Sequence, residues 1–403
     1  MTRLLKDMVM ARSMWKAGSW VVATALVVNG GSLVAQVSQE EIVKLDARFP
    51  QSFSFIRNVR ELSDGRVLIA DPLEQVLLAL DMKAGTADTV GHVGAGPEEY
   101  KQPDAVFALP GDSTLLVDLG NGRLTYLGPK LEFGETMPIA AGSPIPGRGG
   151  LRVIIPRGVD GMGRVYFQPL GVAINRAQPP DSAPIARWNR ASGAIDTLAL
   201  VGLEKRKTTT SGGANNRAVR SRSVPLSPVD AWAVAPDGRI AIARSGDYHV
   251  EWVATDGKVL RGPPVGYTPV KVRKADEEEW LDRQSNGLSM TVEVNNGQAS
   301  MAFGRGRGGR PELDSYEWPN TKPAFVANGV WVAPNGEMWV ERHVPAGSPR
   351  TFDVFGADAT RKKQVVLPKA RRLVGFGAKG AVYLIEVDEF GLQTLERYYR
   401  GET

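Results

Sequence analysis

Ser63-Asp64-Gly65-Arg66-Val67-Leu68-Ile69-Ala70-Asp71 joins a tight turn to a short run of strand-forming residues. Asp-Gly supplies the positive φ that a two-residue hairpin turn requires, and the branched side chains suit a pleated strand. The same pattern recurs five more times, starting at Gly111, Asp160, Pro236, Pro334 and Ala378. Repetition at these intervals is typical of a propeller, in which each repeat forms one small sheet.

Four strands can be placed around each of the first five turns, in residues 53–93, 104–139, 151–201, 229–265 and 326–367. The sixth unit, residues 372–399, offers only three strands before the chain stops, whereas Ile42-Val43-Lys44-Leu45 has no unit of its own. An open ring would leave unpaired sheet edges. The sequence therefore predicts an all-β, six-bladed β-propeller whose N-terminal strand closes the last blade.

The N-terminal residues have the composition of an export signal. A basic region ends at Lys16, an apolar run covers residues 20–28, and cleavage after Ala35 is plausible. The apolar run is shorter than the roughly 20 residues of a spanning helix, although an uncleaved anchor is the alternative. We therefore predict a signal peptide at 1–35, a propeller at 36–403, and a bacterial periplasmic or secreted protein without a stable membrane span after cleavage.

Charge and cysteine content exclude several kinds of protein. The formal net charge is +5, of which +3 lies in the first 35 residues, so the remainder gives little support to nucleic-acid binding. The chain contains no cysteine, which excludes disulfides, a lipid-modified cysteine and thiolate metal sites.

Three insertions interrupt the repeat. Residues 171–184 are rich in proline and are predicted to form a loop, and residues 204–228 are polar and predicted to be flexible. The largest insertion, residues 273–323, falls between blades 4 and 5. Its residues 275–284 suit a short helix with an acidic first turn, and its residues 305–310 form a basic, glycine-rich linker.

Residues 91–128 resemble an NHL repeat. The similarity rests on Gly94-Ala95-Gly96-Pro97-Glu98-Glu99-Tyr100 and on Asp118-Leu119-Gly120-Asn121-Gly122-Arg123-Leu124. Asp118 and Asn121 can bond backbone groups in a tight turn, and Arg123 can tie that turn to a carboxylate. The resemblance implies an NHL-like, exported six-bladed propeller, and it implies a fold rather than an activity.

In such a ring, the loops after the second strand of each blade share one face with the loops that lead to the next blade. The loops after the second strands begin with polar residues: Asp71, Asp118, Gln168, Arg244, Arg342 and Asp388. They could form a ring that binds a polar ligand or a partner at the mouth of the central channel. Alternatively, they simply end strands in solvent, as polar residues commonly do.

A metal site has weaker support. His92, His249 and His343 lie in separate units without the close spacing of zinc ligands. A calcium site made of Asp71, Asp118 and Asn121, with Asp388 as a further candidate, is compatible with the sequence because oxygen ligands need no fixed spacing. The lactonase-like six-bladed propellers hold such an ion in the channel. We predict no obligatory cofactor, with calcium as the alternative.

The predicted helix in the largest insertion contains Trp280 and Leu281. It could act as a lid or as a docking element for a partner on the channel-mouth face. Alternatively, both side chains simply anchor the insertion to the ring.

Two functions remain open at this point. The first is an exported, non-enzymatic binding or scaffolding propeller that engages a small molecule or an envelope protein at the channel mouth, without nucleic acid. The alternative is a calcium-dependent, lactonase- or lyase-like hydrolytic enzyme. The sequence has neither a nucleophile elbow nor a phosphate-binding loop.

Overall fold

Six antiparallel sheets follow one another along the chain in the computed structural model. It describes residues 37–142, 151–169, 180–211, 218–285, 288–295, 298–305 and 312–400. Four strands from consecutive sequence form each of blades 1 to 5. The strands of blades 1 to 3 are Val59–Glu61, Val67–Asp71, Val76–Asp81, Thr86–Thr89; Pro103–Ala108, Thr114–Asp118, Arg123–Leu127, Phe133–Pro138; and Pro156–Val159, Val165–Phe167, Ser182–Trp188, Ile195–Gly202. The strands of blades 4 to 6 are Ala231–Val234, Ile240–Arg244, His249–Val253, Val259–Arg261; Phe325–Val332, Met338–Arg342, Thr351–Phe355, Arg361–Val366; and Arg371–Phe376, Ala381–Val387, Gln393–Tyr399.

Smaller elements lie between the blades. Four two-stranded pairs are His92–Val93 with Glu99–Tyr100, Ala140–Gly142 with Leu151–Val153, Arg206–Ser211 with Ala218–Ser223, and Leu288–Asn295 with Gln298–Arg305. The helices of the described residues are the α-helix Lys274–Ser285 and the short 3-10 helices Pro110–Asp112, Leu313–Ser315 and Ala378–Gly380.

The turn glycines have the predicted positive φ, but the turn is not the predicted two-residue turn: three residues separate Leu62 from its partner Arg66, whose carbonyl accepts the Leu62 N–H at 2.8 Å. Gly65, Gly238 and Gly336 have φ values of +88°, +86° and +83°. In the first turn, the carboxylate of Asp64 accepts the backbone N–H of Arg66 at 2.9 Å. Only glycine adopts this backbone region without strain, so these residues place the turn and, with it, the register of the strands on either side.

The blades close into a ring because every pair of neighbours shares one buried apolar cluster. The first strands of successive blades also lie next to one another from blade 6 through blades 1, 2, 3 and 4 to blade 5. Each cluster contains residues of both neighbouring blades: Leu68 and Leu116, Val117 and Phe167, Tyr166 and Ile242, Val250 and Val340, Val354 and Leu384, and Ile385 and Ile69. Burying one such side chain stabilises the fold by about 1.5–3 kcal/mol. The predicted six-bladed architecture is confirmed.

The N-terminal strand closes the ring as predicted, but with a different register. Lys44–Phe53 is the fourth strand of blade 6 and pairs antiparallel with Gln393–Tyr399. The prediction that Phe53 begins blade 1 is wrong, since Phe49 and Phe53 are buried in the cluster between blades 6 and 1. The preceding segment, Gln39–Glu41, pairs in parallel with the outer strand of blade 5, which thereby gains a fifth strand.

The predicted helix in the insertion between blades 4 and 5 is confirmed as Lys274–Ser285. One expectation about the insertions is wrong: residues 204–228 contain a β-hairpin instead of a flexible loop. A second hairpin, for which the sequence made no prediction, follows the helix. The predicted loop 171–184 ends earlier, because the third strand of blade 3 begins at Ser182. The signal peptide 1–35 and most of the basic linker 305–310 lie outside the described residues. Within the described part of the chain, no helix is both long and apolar enough to cross a membrane.

Candidate functional site

The polar residues that follow the second strands are held by bonds within the protein. Asp71 is fully buried, and its carboxylate accepts four backbone N–H groups. The donors are Ser54 at 2.7 Å, Phe55 at 3.1 Å, Leu73 at 3.0 Å and Glu74 at 3.2 Å. Burial raises the pKa of Asp71 while these bonds lower it. The side chain therefore fastens the loop entering blade 1 to the turn that leaves its second strand.

Asp118 has the same role in blade 2. Its Oδ1 accepts the backbone N–H groups of Lys101 at 3.1 Å, Gln102 at 3.0 Å and Asn121 at 3.3 Å. Its Oδ2 accepts the Asn121 amide at 2.8 Å and faces the Arg123 Nε at 3.5 Å. The local role that the sequence predicts for Asp118, Asn121 and Arg123 is therefore present in the structure.

These residues do not fit a calcium ion. The oxygen atoms of Asp71 and Asp118 already accept N–H groups, and the two carboxylates fasten loops in different blades. A cation would need the lone pairs that these donors occupy. Among the described residues, no three acidic or histidine side chains group in a way that could hold a metal.

Arg244 and Asp388, two further residues of the predicted ring, also bind neighbouring groups in their own blades and do not point to a common site. Arg244 binds Asp230 at 3.0 Å and Glu251 at 2.7 Å. Asp388 caps its own exposed turn through the N–H groups of Phe390 and Leu392. The contacts of Arg244 leave little of its guanidinium available to a ligand, whereas Asp388 uses one carboxylate oxygen in its own turn and remains exposed.

Trp280 lies within the insertion. Its ring contacts Tyr316 at 5.2 Å and Trp318 at 5.5 Å, both edge to face. Leu281, the next residue, is 1% exposed. The Trp280 ring therefore packs against aromatic rings of the insertion itself, Leu281 is buried, and other residues of the same helix face a cavity.

Arg342 is the one residue of the predicted ring that lines this cavity. The cavity has a volume of about 280 Å³ and is lined by blades 5 and 6, the loop between them and the helix Lys274–Ser285. Arg342 binds Asp353 at 3.0 Å, and its guanidinium lies 5.4 Å from the rings of both Tyr248 and Tyr267. These contacts fix one cationic wall of the pocket.

The lining of the pocket is strongly cationic. Seven basic side chains face it together with two carboxylates, Glu279 and Glu341. The basic residues are Arg283, Lys322, Arg342, Arg350, Lys369, Arg371 and Arg372. The carboxylates that pair with Lys322, Arg342 and Arg371 (Asp276, Asp353 and Glu396) are not part of the lining. Glu279 and Glu341 pair with Arg283 and Arg350, so these five basic groups each have a carboxylate partner, and the excess of positive charge that a ligand meets comes mainly from Lys369.

His343 adds a neutral polar group to the pocket. Burial, together with the nearby charges of Arg283, Lys322 and Arg342, lowers the pKa of His343 to about 3. The imidazole is therefore uncharged near pH 7, where it can donate one hydrogen bond and accept another. A pKa this far below neutrality makes it a poor general acid or base at physiological pH.

The sequence pointed to His343 only as a metal ligand, and of the basic residues of the pocket it pointed to Arg342 alone. Two signals were present: Arg342-His343 after the second strand of blade 5, and Lys369-Ala370-Arg371-Arg372 before the first strand of blade 6. Both loops lie on the same face of a propeller, so the ring topology brings them together. Arg283 reaches the pocket only because the helix Lys274–Ser285 packs beside blades 5 and 6, which the sequence did not predict.

Proteins similar to this chain were found among solved structures only. No protein-family model matches the chain, and no curated protein matches it. A calcium-binding regucalcin of Agrobacterium tumefaciens is 13% identical over 91% of this chain and 98% of its own, with a TM-score of 0.42. A gluconolactonase of Xanthomonas campestris is 9% identical over 91% and 99%, with a TM-score of 0.41. A streptogramin B lyase is 14% identical over 87% and 96%, with a TM-score of 0.37. The function of the chain is therefore argued from its own residues.

Proposed function

We propose that this protein binds a small organic anion in the pocket between blades 5 and 6, and that it acts as a binding protein and not as a hydrolytic enzyme. The observation that carries the proposal is the composition of the pocket lining, which contains seven basic residues and two carboxylates. His343 is a poor general acid or base near pH 7, and the calcium candidates Asp71 and Asp118 are occupied by N–H donors.

Each part of the lining has a role in this proposal. Lys369 and the guanidinium groups attract and orient a carboxylate or phosphate group of the ligand. His343 supplies a directional hydrogen bond. Val326, Val344 and Val387 provide apolar walls for the rest of the ligand. A small site of this kind, with apolar walls and a few fixed polar groups, is typical of ligand pockets.

The helix of the insertion forms one wall and is held firmly against blade 5. Asp276 pairs with Lys322 at 2.7 Å and accepts the backbone N–H of Ala346 at 2.7 Å. In the same helix, Glu279 pairs with Arg283 at 2.6 Å, and both side chains face the cavity. The insertion therefore contributes to the pocket directly, through Glu279 and Arg283.

The experiment is a calorimetric titration of the purified full-length chain with a panel of small carboxylates and phosphates and with their neutral amide or alcohol analogues, in low salt. We expect the anions to bind and the neutral analogues not to bind. Lys369→Gln should weaken anion binding by about tenfold, because a contact between the lysine ammonium group and the anion contributes on the order of 1.5 kcal/mol.

Lys130→Gln is the matched control, since Lys130 is an exposed lysine in a turn of blade 2 outside the pocket lining. It should leave the affinity unchanged. Equal affinities for anions and neutral analogues, or equal effects of the two substitutions, would contradict the proposal. The periplasmic or secreted location stays a prediction that rests on residues 1–35.

A further inference from the structure

A second cationic centre lies in the central channel, away from the pocket. Arg157 is in the first strand of blade 3, Pro156–Val159. Its guanidinium lies 4.7 Å from the ring centre of Trp232 in blade 4, and its Nη2 donates to the Asn328 side chain in blade 5 at 2.8 Å. Because Asn328 and Trp232 belong to the first strands of their blades, Arg157 lies in the channel that these strands surround.

The surroundings of Arg157 contain cationic and neutral groups. Its other hydrogen-bond partner is the amide oxygen of Gln168 at 3.5 Å. Burial and the nearby charge of Arg57 lower the pKa of Arg157 to about 10. Arg57 itself pairs with Asp104 at 2.5 Å. Among the described residues, no carboxylate forms an ion pair with Arg157.

Residues 143–150, 170–179, 212–217, 286–287, 296–297 and 306–311, which lie outside the described part of the chain, contain no aspartate or glutamate. The Arg157 side chain is half-buried, and a guanidinium that is partly removed from water is stabilised by an opposite charge nearby. The Nε1–H of Trp232, which is buried, also has no acceptor among the described side chains and backbone groups. Among the described side chains, the channel therefore contains a cation without a paired carboxylate and, on the ring stacked against it, an N–H without an acceptor.

We propose that an oxyanion from the surroundings occupies the channel beside Arg157 and neutralises it. The planar fork of an arginine matches the spacing of two oxygen atoms of a sulfate, phosphate or carboxylate group better than it matches a spherical ion. The site shares no residue with the pocket lining, so the two can be tested independently.

The test is thermal unfolding of the full-length chain at pH 7 with increasing sulfate, phosphate, acetate or chloride at constant ionic strength. Binding to the folded state should raise the Tm in a saturable way, by about 1–3 °C at tenfold excess over Kd. Sulfate and phosphate responding alone would identify an inorganic ion, and acetate responding alone would identify a carboxylate. Sulfate also stabilises proteins without binding, but that effect does not saturate.

Measured in the Lys369→Gln background, which weakens anion binding in the pocket, Arg157→Gln should abolish the saturable rise, whereas Arg239→Gln should retain it. Arg239 is a matched control because it also stacks on a tryptophan, Trp252, at 4.5 Å, but it pairs with Asp237 at 2.7 Å. Lys369→Gln should retain the rise as well, which separates this site from the proposed function. The same saturable rise in Arg157→Gln as in the unmodified chain, or no saturable rise with any anion, would overturn the proposal.

Arg157→Lys covers the case in which the glutamine variant does not fold. It keeps the charge and removes the fork, so we expect anion affinity to fall by about tenfold. Unchanged affinity in Arg157→Lys would also overturn the proposed recognition by a guanidinium.

Discussion

At the scale of single residues, Asp71 and Asp118 at the second strands of blades 1 and 2 connect two loops by hydrogen bonds. Asp71 and Asp118 accept backbone N–H groups from both the preceding blade connection and their own turn. A buried carboxylate that satisfies several N–H donors stabilises the folded state because those donors would otherwise be buried without partners. These positions are therefore structural, although their spacing along the sequence resembles a ring of ligands.

Asp118→Ala should lower the free energy of unfolding by about 3 kcal/mol, because buried N–H groups lose their acceptor. Chemical denaturation measures this change. Asp388→Ala is the control: its turn is exposed, and we expect a loss of less than about 1 kcal/mol. Calcium should not change either value. A calcium-dependent stabilisation of the unmodified chain that Asp118→Ala removes would restore the hypothesis of a metal-dependent enzyme.

His343 should make stability depend on pH. Its pKa in the folded protein is lowered from 6.5 to about 3, so the unfolded chain takes up a proton at a higher pH than the folded chain does. The stability is full above about pH 6.5 and falls as the pH decreases towards 3, with a slope of at most about 1.4 kcal/mol per pH unit. Denaturation midpoints measured between pH 4.5 and 7 test this.

His343→Gln should flatten that dependence. His92→Gln should leave it unchanged, because the His92 side chain is 66% exposed. Identical pH profiles for the unmodified chain and His343→Gln would show that the imidazole is hydrated and not enclosed.

At the scale of elements, the N-terminal segment holds two blades. Gln39–Glu41 extends blade 5 and Lys44–Phe53 completes blade 6, with Ile42 buried between them. Ion pairs support the same junction: Glu40 binds Arg400 at 2.9 Å and Lys363 at 2.7 Å. The segment therefore spans the junction between blades 5 and 6 and also closes the sheet of blade 6.

Phe49→Ala should destabilise the ring by about 3–5 kcal/mol, the usual cost of removing a fully buried phenylalanine. Val43→Ala is the matched control in the same segment; Val43 is 73% exposed, and we expect a change within about 0.5 kcal/mol. Urea denaturation followed by tryptophan fluorescence compares the two. Similar effects would mean that Phe49 does not reach the cluster between blades 6 and 1.

At the scale of the whole molecule, six shared clusters connect the blades without a gap. Each cluster contains residues of two neighbouring blades, so no blade buries its apolar surfaces alone. Repeat proteins gain stability from such interfaces between neighbours, and closure adds one more interface than an open array has.

The unmodified chain should therefore unfold in one cooperative transition, with equal calorimetric and van't Hoff enthalpies. Deletion of residues 37–53 should lower the Tm and broaden the transition, because it opens the sheet of blade 6 and removes part of the cluster between blades 6 and 1. A deletion variant with an unchanged, single transition would contradict the role of the N-terminal strand.

The sequence by itself determined the number of blades and the turns, because these depend on local features: positive φ at glycine and the strand preferences of the residues that follow. It predicted the closure because the last unit lacks one strand and the N-terminal strand has no unit of its own. It also predicted the bonds among Asp118, Asn121 and Arg123, which lie within one turn, but not those from Lys101 and Gln102 to Asp118. It misplaced the closing strand by a few residues because register depends on where Phe49 and Phe53 are buried. Only the tertiary structure assembled the cationic pocket and the channel around Arg157, since their residues come from different blades and an insertion. The ring brings together ionisable side chains that are distant in the sequence. Their burial and their new neighbours then determine their pKa values and the kind of ligand that the site binds.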